Sequence, residues 1–298
     1  MLKYKADVKT ILFLTLTSLI FAGLWHVGFQ WSNPLFWIAY ITFLYFEVTV
    51  AVSTHNHNHI NIWNNKTLNI LTDWWHTIFY GLPIFVWIPT HNRNHHRYNN
   101  KLEDVTRTYR HTEHNDMPAL LMYPAISGPN QMKESIIPYM KELKDKNPQQ
   151  WRENWMQLAV LMVWNIFWFV MNWKLALIFI LLPQQVSQLS VIVFNYVQHT
   201  HADEESDYNH SRNFMGVNPF LFNNGYHTIH HERASIHWSE APEAHAKIEH
   251  LIAPHLIEQS FWWYMVRTYV LAYVVPKYRT TSMRLARIER EKGQQAAA

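Results

Sequence analysis

The chain has 298 residues, 49% of them hydrophobic and only 16% charged, with a formal net charge of +3. So small a positive charge does not suggest a nucleic-acid partner, and the basic residues gather beside apolar runs, where anionic lipid is the simpler partner. With no cysteine the chain holds no disulfide, thiolate zinc site or iron–sulfur cluster, so any electrons must come from another protein.

Mean hydropathy is slightly negative, because His, Asn and Arg are concentrated between the apolar runs and mask them in the average. Residues 11–29 are nearly all apolar and follow Lys3, Lys5 and Lys9, as in a signal peptide. No small-residue cleavage site follows and a second apolar run starts almost at once, so a first transmembrane helix is expected. A polar turn at 30–33 leads to a second span at 34–53, completing a hairpin. A second hairpin is expected from spans at 155–173 and 175–194, with Lys174 at its turn. The shorter apolar stretches 74–88, broken by Gly81 and Pro83, and 261–275, containing Arg267, are expected to lie in the interface or re-enter. The basic residues before the first span, between the two hairpins and at 279–290 place both termini on the cytoplasmic side. The expected architecture is a single domain over 1–298. It is an all-α integral membrane protein, with four transmembrane helices in two hairpins and a cytoplasmic histidine-rich cap.

Of twenty histidines, eleven fall in four clusters, each at or beyond the cytoplasmic end of an apolar segment. In the first, His55-Asn56-His57-Asn58-His59, a continuing helix puts His55 and His59 on one face as ligands and turns His57 away, toward solvent or a supporting role. In His91-Asn92-Arg93-Asn94-His95-His96, His91 and His95 share a helical face and His96 sits about 100° round, a pattern able to bridge two ions. His227, His230 and His231 span one face of about 100° and can all reach one centre. In the fourth, Asn195 and His199 lie one turn apart while His201 faces elsewhere. Nine convergent imidazoles exceed the ligands one zinc takes and suit two ions with four or five nitrogens each. Imidazole alone leaves zinc, copper and iron open, and no His-Glu-x-x-His protease motif occurs.

The boxes HNHNH, HNRNHH and HTIHH, in this order and spacing, resemble those of the membrane fatty-acid desaturase and alkane hydroxylase superfamily, over about residues 34–240. The resemblance implies two iron ions as cofactor and molecular oxygen as co-substrate. It implies the ligands His55, His59, His91, His95, His96, His199, His227, His230 and His231, with Asn195 reaching iron through water. It also implies a long-chain fatty acid, acyl chain or alkane as substrate. The expected activity is fatty-acyl desaturation, with hydroxylation or terminal-alkene-forming decarboxylation as alternatives on the same scaffold. The electron donor would be a separate ferredoxin, rubredoxin or cytochrome with its reductase. A membrane metal transporter is the non-enzymatic alternative, but transport sites lie near the bilayer midplane and these histidines sit at span ends.

Ligating imidazoles lean on carboxylates or carbonyls, and Asp73, Asp104, Asp203, Glu204 and Glu232 lie near the clusters in sequence. Glu47, about two turns before His55, is expensive in lipid and is expected to face the bundle interior.

Overall fold

A computed structural model describes residues 1–297 and is mostly helical. The chain divides into two compact units: Met1–Pro89 with Ile136–Val191, and Thr90–Ser135 with the residues from Ile192 onward.

The first unit opens with α1 (Val8–Val27), which stops at Gly28, whose φ of 73° few side chains tolerate. Asn33 then caps α2 (Pro34–His59) by accepting from the Leu35 amide at 3.0 Å, and Pro34 supplies a preset first turn. Phe21, Phe43 and Phe79 from α1, α2 and α3 (Lys66–Tyr80) pack in one aromatic core with Phe179 and Trp168. The end of α3 comes so close to the helix containing Gln184 that a Cβ at Gly81 would lie 2.5 Å from the Gln184 Cβ.

The stretch Pro148–Ala176 (α4) is broken at Asn172, whose backbone is extended and whose side-chain oxygen accepts from the Lys174 and Leu175 amides. A π-turn at Leu177–Leu181 leads into α5 (Leu182–His199). Gln184 donates to Asn165 at 3.0 Å, so the two limbs run side by side and the reversal centres on Asn172, two residues before Lys174. Three helical stretches are long and apolar enough to cross a membrane: Lys5–Val27, Pro34–His59 and Pro148–His199. The last has 52 residues. If straight it would span about 78 Å against a hydrocarbon core of about 30 Å. Neither of the shorter apolar segments reaches spanning length as a helix. Glu47 is buried as expected, and its Oε2 makes no hydrogen bond.

The second unit holds the helix Met117–Gln131 and a parallel pair of two-residue strands, β1 (Asn213–Phe214) and β2 (Ile257–Glu258). Around it lie α6 (His227–Glu232), α7 (Phe261–Tyr269) and α8 (Met283–Ala297).

Candidate metal centre

Because α2 stays helical through His59, the four-residue step brings the Nε2 atoms of His55 and His59 to 3.2 Å. His57 points the other way but is buried, not solvated. Its Nε2 bonds Asp73 at 2.9 Å, its Nδ1 accepts from the Ile62 amide, and its ring stacks on His76.

The second box departs from the α-helical expectation. Residues Ile88–His95 form a π-helix, whose bonds step five residues. His91 consequently pairs with His96, Nε2 to Nε2 at 3.0 Å, and His96 meets His230 at 3.0 Å. The His91 and His95 rings stack, yet the His95 Nε2 turns to His199 at 3.1 Å, and His199 meets His227 at 2.9 Å. The His231 ring completes this second set, and its four ligand atoms lie within 4.8 Å of one another. The third box is therefore split: His227 and His231 join one group and His230 the other, whereas spacing alone would let all three share one centre.

Hydrogen bonds fix what these nitrogens offer. His95 donates from Nδ1 to Asp104 at 2.7 Å, and His199 from Nδ1 to the His210 carbonyl at 3.1 Å. Both Nε2 atoms then present lone pairs to each other, an arrangement that repels unless a cation lies between. A proton satisfies one such pair, whereas four converging nitrogens suit a metal ion. Neither His231 nitrogen makes a hydrogen bond although the ring is buried, which again fits a ligand. Burial first, and then the rings of His96, His227, His199 and His95, push the His231 imidazolium form well below its usual range. At Asp104, burial acts to raise the carboxyl. The adjoining His95 ring and hydrogen bonds from Thr106 outweigh it and hold the group well below the usual carboxylate range. These histidine clusters are able to bind metal.

The frame that aims the ligands includes residues outside the boxes. Arg212 is buried and donates to the Val197 and Thr200 carbonyls, capping the end of α5 that carries His199. Next to it, Asn213 accepts from the Thr228 amide at 3.0 Å and donates to the Thr228 hydroxyl, seating the first turn of α6. Gly225 lets that turn close, since a Cβ there would lie 1.9 Å from the Phe214 carbonyl oxygen. Sequence reasoning passed over His210, Arg212 and Asn213, whose only signal is their position between two histidine boxes.

Among the carboxylates, Asp104 supports His95 and Asp73 supports His57, while Glu232 approaches the His210 Nε2 at 3.4 Å. Asp203 and Glu204 pair instead with Arg287 and Arg284. The Asn195 amide nitrogen donates to the Tyr123 hydroxyl at 2.7 Å and to the Thr106 carbonyl at 3.4 Å, leaving its oxygen as the group for a water. His201 bonds the Glu113 carbonyl and the Thr280 hydroxyl, away from both histidine groups.

No curated protein and no solved structure matches this chain. The family model described as fatty acid desaturase matches residues 29–264, a span that holds all four histidine clusters. On that match the chain belongs to the fatty acid desaturase family, the membrane desaturase and hydroxylase superfamily.

Proposed function

We propose that the chain is an oxygen-dependent fatty-acyl desaturase whose centre holds two irons. The observation that carries this reading is the facing of the His95 and His199 lone pairs inside a set of four histidines, within the family match. His95, His199, His227 and His231 form one ligand set. His91, His96 and His230 belong to a second set, His55 and His59 are ligands as well, and Asn195 acts through water. The domain is single, with four crossings and both termini and every histidine cluster on the cytoplasmic side.

When bound, the irons supply oxygen activation strong enough to remove hydrogen from an unactivated carbon. The chain's own part is position. Asp104 and the His210 carbonyl hold the two ring tautomers, Arg212 and Asn213 fix the helix ends that carry His199 and His227, and burial keeps water from the set. A long fatty-acyl chain is the substrate, and a separate ferredoxin, rubredoxin or cytochrome brings the electrons.

The test joins metal analysis of the purified protein to a lipid product profile from cells expressing it. Close to two irons per chain and a new double bond support the reading, and His95→Ala or His230→Ala should lose metal and product together. A hydroxylated product or a terminal alkene would replace desaturation with another reaction of the same centre. Full metal and turnover in both variants would overturn the ligand assignment.

A further inference from the structure

α7 and the two short turns after it, Leu271–Tyr273 and Pro276–Tyr278, bury one apolar face and expose another. Tyr264 and Tyr269 turn inward and are buried. Trp262, Trp263, Val266, Val270 and Val274 turn outward, the first 75% and the last 78% exposed. Within α7, Trp262 and Trp263 lie four and three residues before Val266 and so flank one helical face, and Val270 and Val274 continue the exposed apolar run along the turn that follows. Isolated exposed apolar residues need no explanation, but a stripe of two tryptophans and three valines marks an interaction surface. A nine-residue helix rises only about 14 Å, less than half a hydrocarbon core, so α7 is too short to cross.

At the far end of the stripe stand the exposed Lys277 and Arg279, neither of which forms a salt bridge among the described residues. The Lys277 ammonium lies over the Tyr278 ring, and Arg279 donates to the Ala272 carbonyl, so both cations stay with this segment. Tryptophan and valine beside two uncompensated cations is the chemistry of the boundary between lipid headgroups and acyl chains.

We propose that the segment Phe261–Arg279 is a lipid-docking surface: the outward stripe enters the acyl boundary of an anionic bilayer while Lys277 and Arg279 meet lipid phosphates. A bilayer is the favoured occupant because the same chain carries helices long and apolar enough to cross one, so the lipid surface is always tethered nearby. The inward face gives the docking a structural consequence. Tyr264 packs against the Arg212 guanidinium at 4.7 Å, and Arg212 caps the helix end that carries His199. The bound lipid surface is thus one side chain away from the frame of the histidine set. The inference stands apart from the reaction, and the failure of either leaves the other untouched.

The native chain has no cysteine, so Val266→Cys in the full protein takes a single nitroxide label, with Gln294→Cys as the aqueous reference. In vesicles of phosphatidylcholine with phosphatidylglycerol, the label at 266 should collide readily with oxygen and be shielded from a water-soluble nickel chelate, the reverse of the label at 294. Replacing phosphatidylglycerol by phosphatidylcholine should shift the 266 label toward nickel, and Lys277→Glu with Arg279→Glu should abolish that lipid dependence. Nickel access at 266 equal to that at 294 would overturn the proposal. So would dipolar coupling between labels on two copies, which would make the stripe a protein–protein contact, or an unchanged lipid dependence in the charge-reversed variant.

Discussion

His95 Nδ1 and Asp104 Oδ2 meet at 2.7 Å with both side chains buried, and this contact decides which nitrogen of His95 faces its three histidine neighbours. Asp104 does more than accept from His95. Its oxygens also accept from the Asn100 and Thr106 amides and from the Thr106 hydroxyl, so every approach to this carboxylate is by a donor.

Asp104→Asn keeps the shape but introduces an NH2 among donors, so one buried pair must face donor to donor. The expected result is about a 10- to 100-fold loss of metal affinity, with activity falling in step. Asp203→Asn, at a carboxylate that accepts from Arg287 and the Glu205 amide and from no histidine, should leave metal content unchanged. Equal metal retention in the two variants would refute the role given to Asp104.

His57→Ala separates structure from ligation. The substitution removes a part-buried hydrogen bond to Asp73 and leaves the buried Ile62 amide without its acceptor, so a stability loss of about 1–3 kcal/mol is expected. Metal content should stay near that of the unaltered protein, unlike His95→Ala. Melting in detergent beside metal analysis checks both halves, and loss of metal without loss of stability would make His57 a ligand.

The metal-free protein should weaken in mild acid. His231 is held below its ordinary value of 6.5 in the folded chain, so on unfolding it regains the ability to take a proton. Between the two values the unfolded state binds more protons, and stability therefore falls as the pH drops through the ordinary imidazole value. Asp104 works in a lower window: its depressed carboxyl stabilises fully above the ordinary aspartate range and is lost only as pH falls toward its folded value. Melting temperatures of the metal-stripped protein across about pH 7 to 5 should decline, and His231→Gln should flatten that decline. An identical slope in the variant would assign the decline to other groups.

Electron supply should be external. With no cysteine for an iron–sulfur or rubredoxin centre and no His-Pro-Gly-Gly haem motif, purified protein with oxygen, substrate and NAD(P)H should be inert until a ferredoxin or rubredoxin and its reductase are added. Basic residues near the histidine clusters would steer an acidic donor, so rates should fall as ionic strength rises. Multiple turnovers with NAD(P)H alone, in a preparation free of other protein, would refute the separate donor. Salt-insensitive rates would refute only the electrostatic steering.

Local physics made the long apolar runs and the histidine boxes legible from the chain alone. Length and hydropathy reveal a candidate span without any partner, and a helix that continues past its apolar stretch puts His55 beside His59 by its own geometry. The break within Pro148–His199 was legible too, to within two residues, because a polar position between apolar runs must cap something. The assignment of nitrogens to groups was decided elsewhere. A five-residue hydrogen-bond step in Ile88–His95 sends His91 to His96 and His95 to His199, and residue spacing does not distinguish that step from an α-helix. The split of His227 and His231 from His230 depends on where other segments bring His95, His96 and His199. Of the nearby carboxylates, tertiary packing set Asp104 on His95 and drew Asp203 and Glu204 to Arg287 and Arg284, since sequence distance carries no direction. Arg212 shows the same limit: a buried guanidinium is tolerated only where carbonyls and a ring already converge on it, and only the folded chain gathers them.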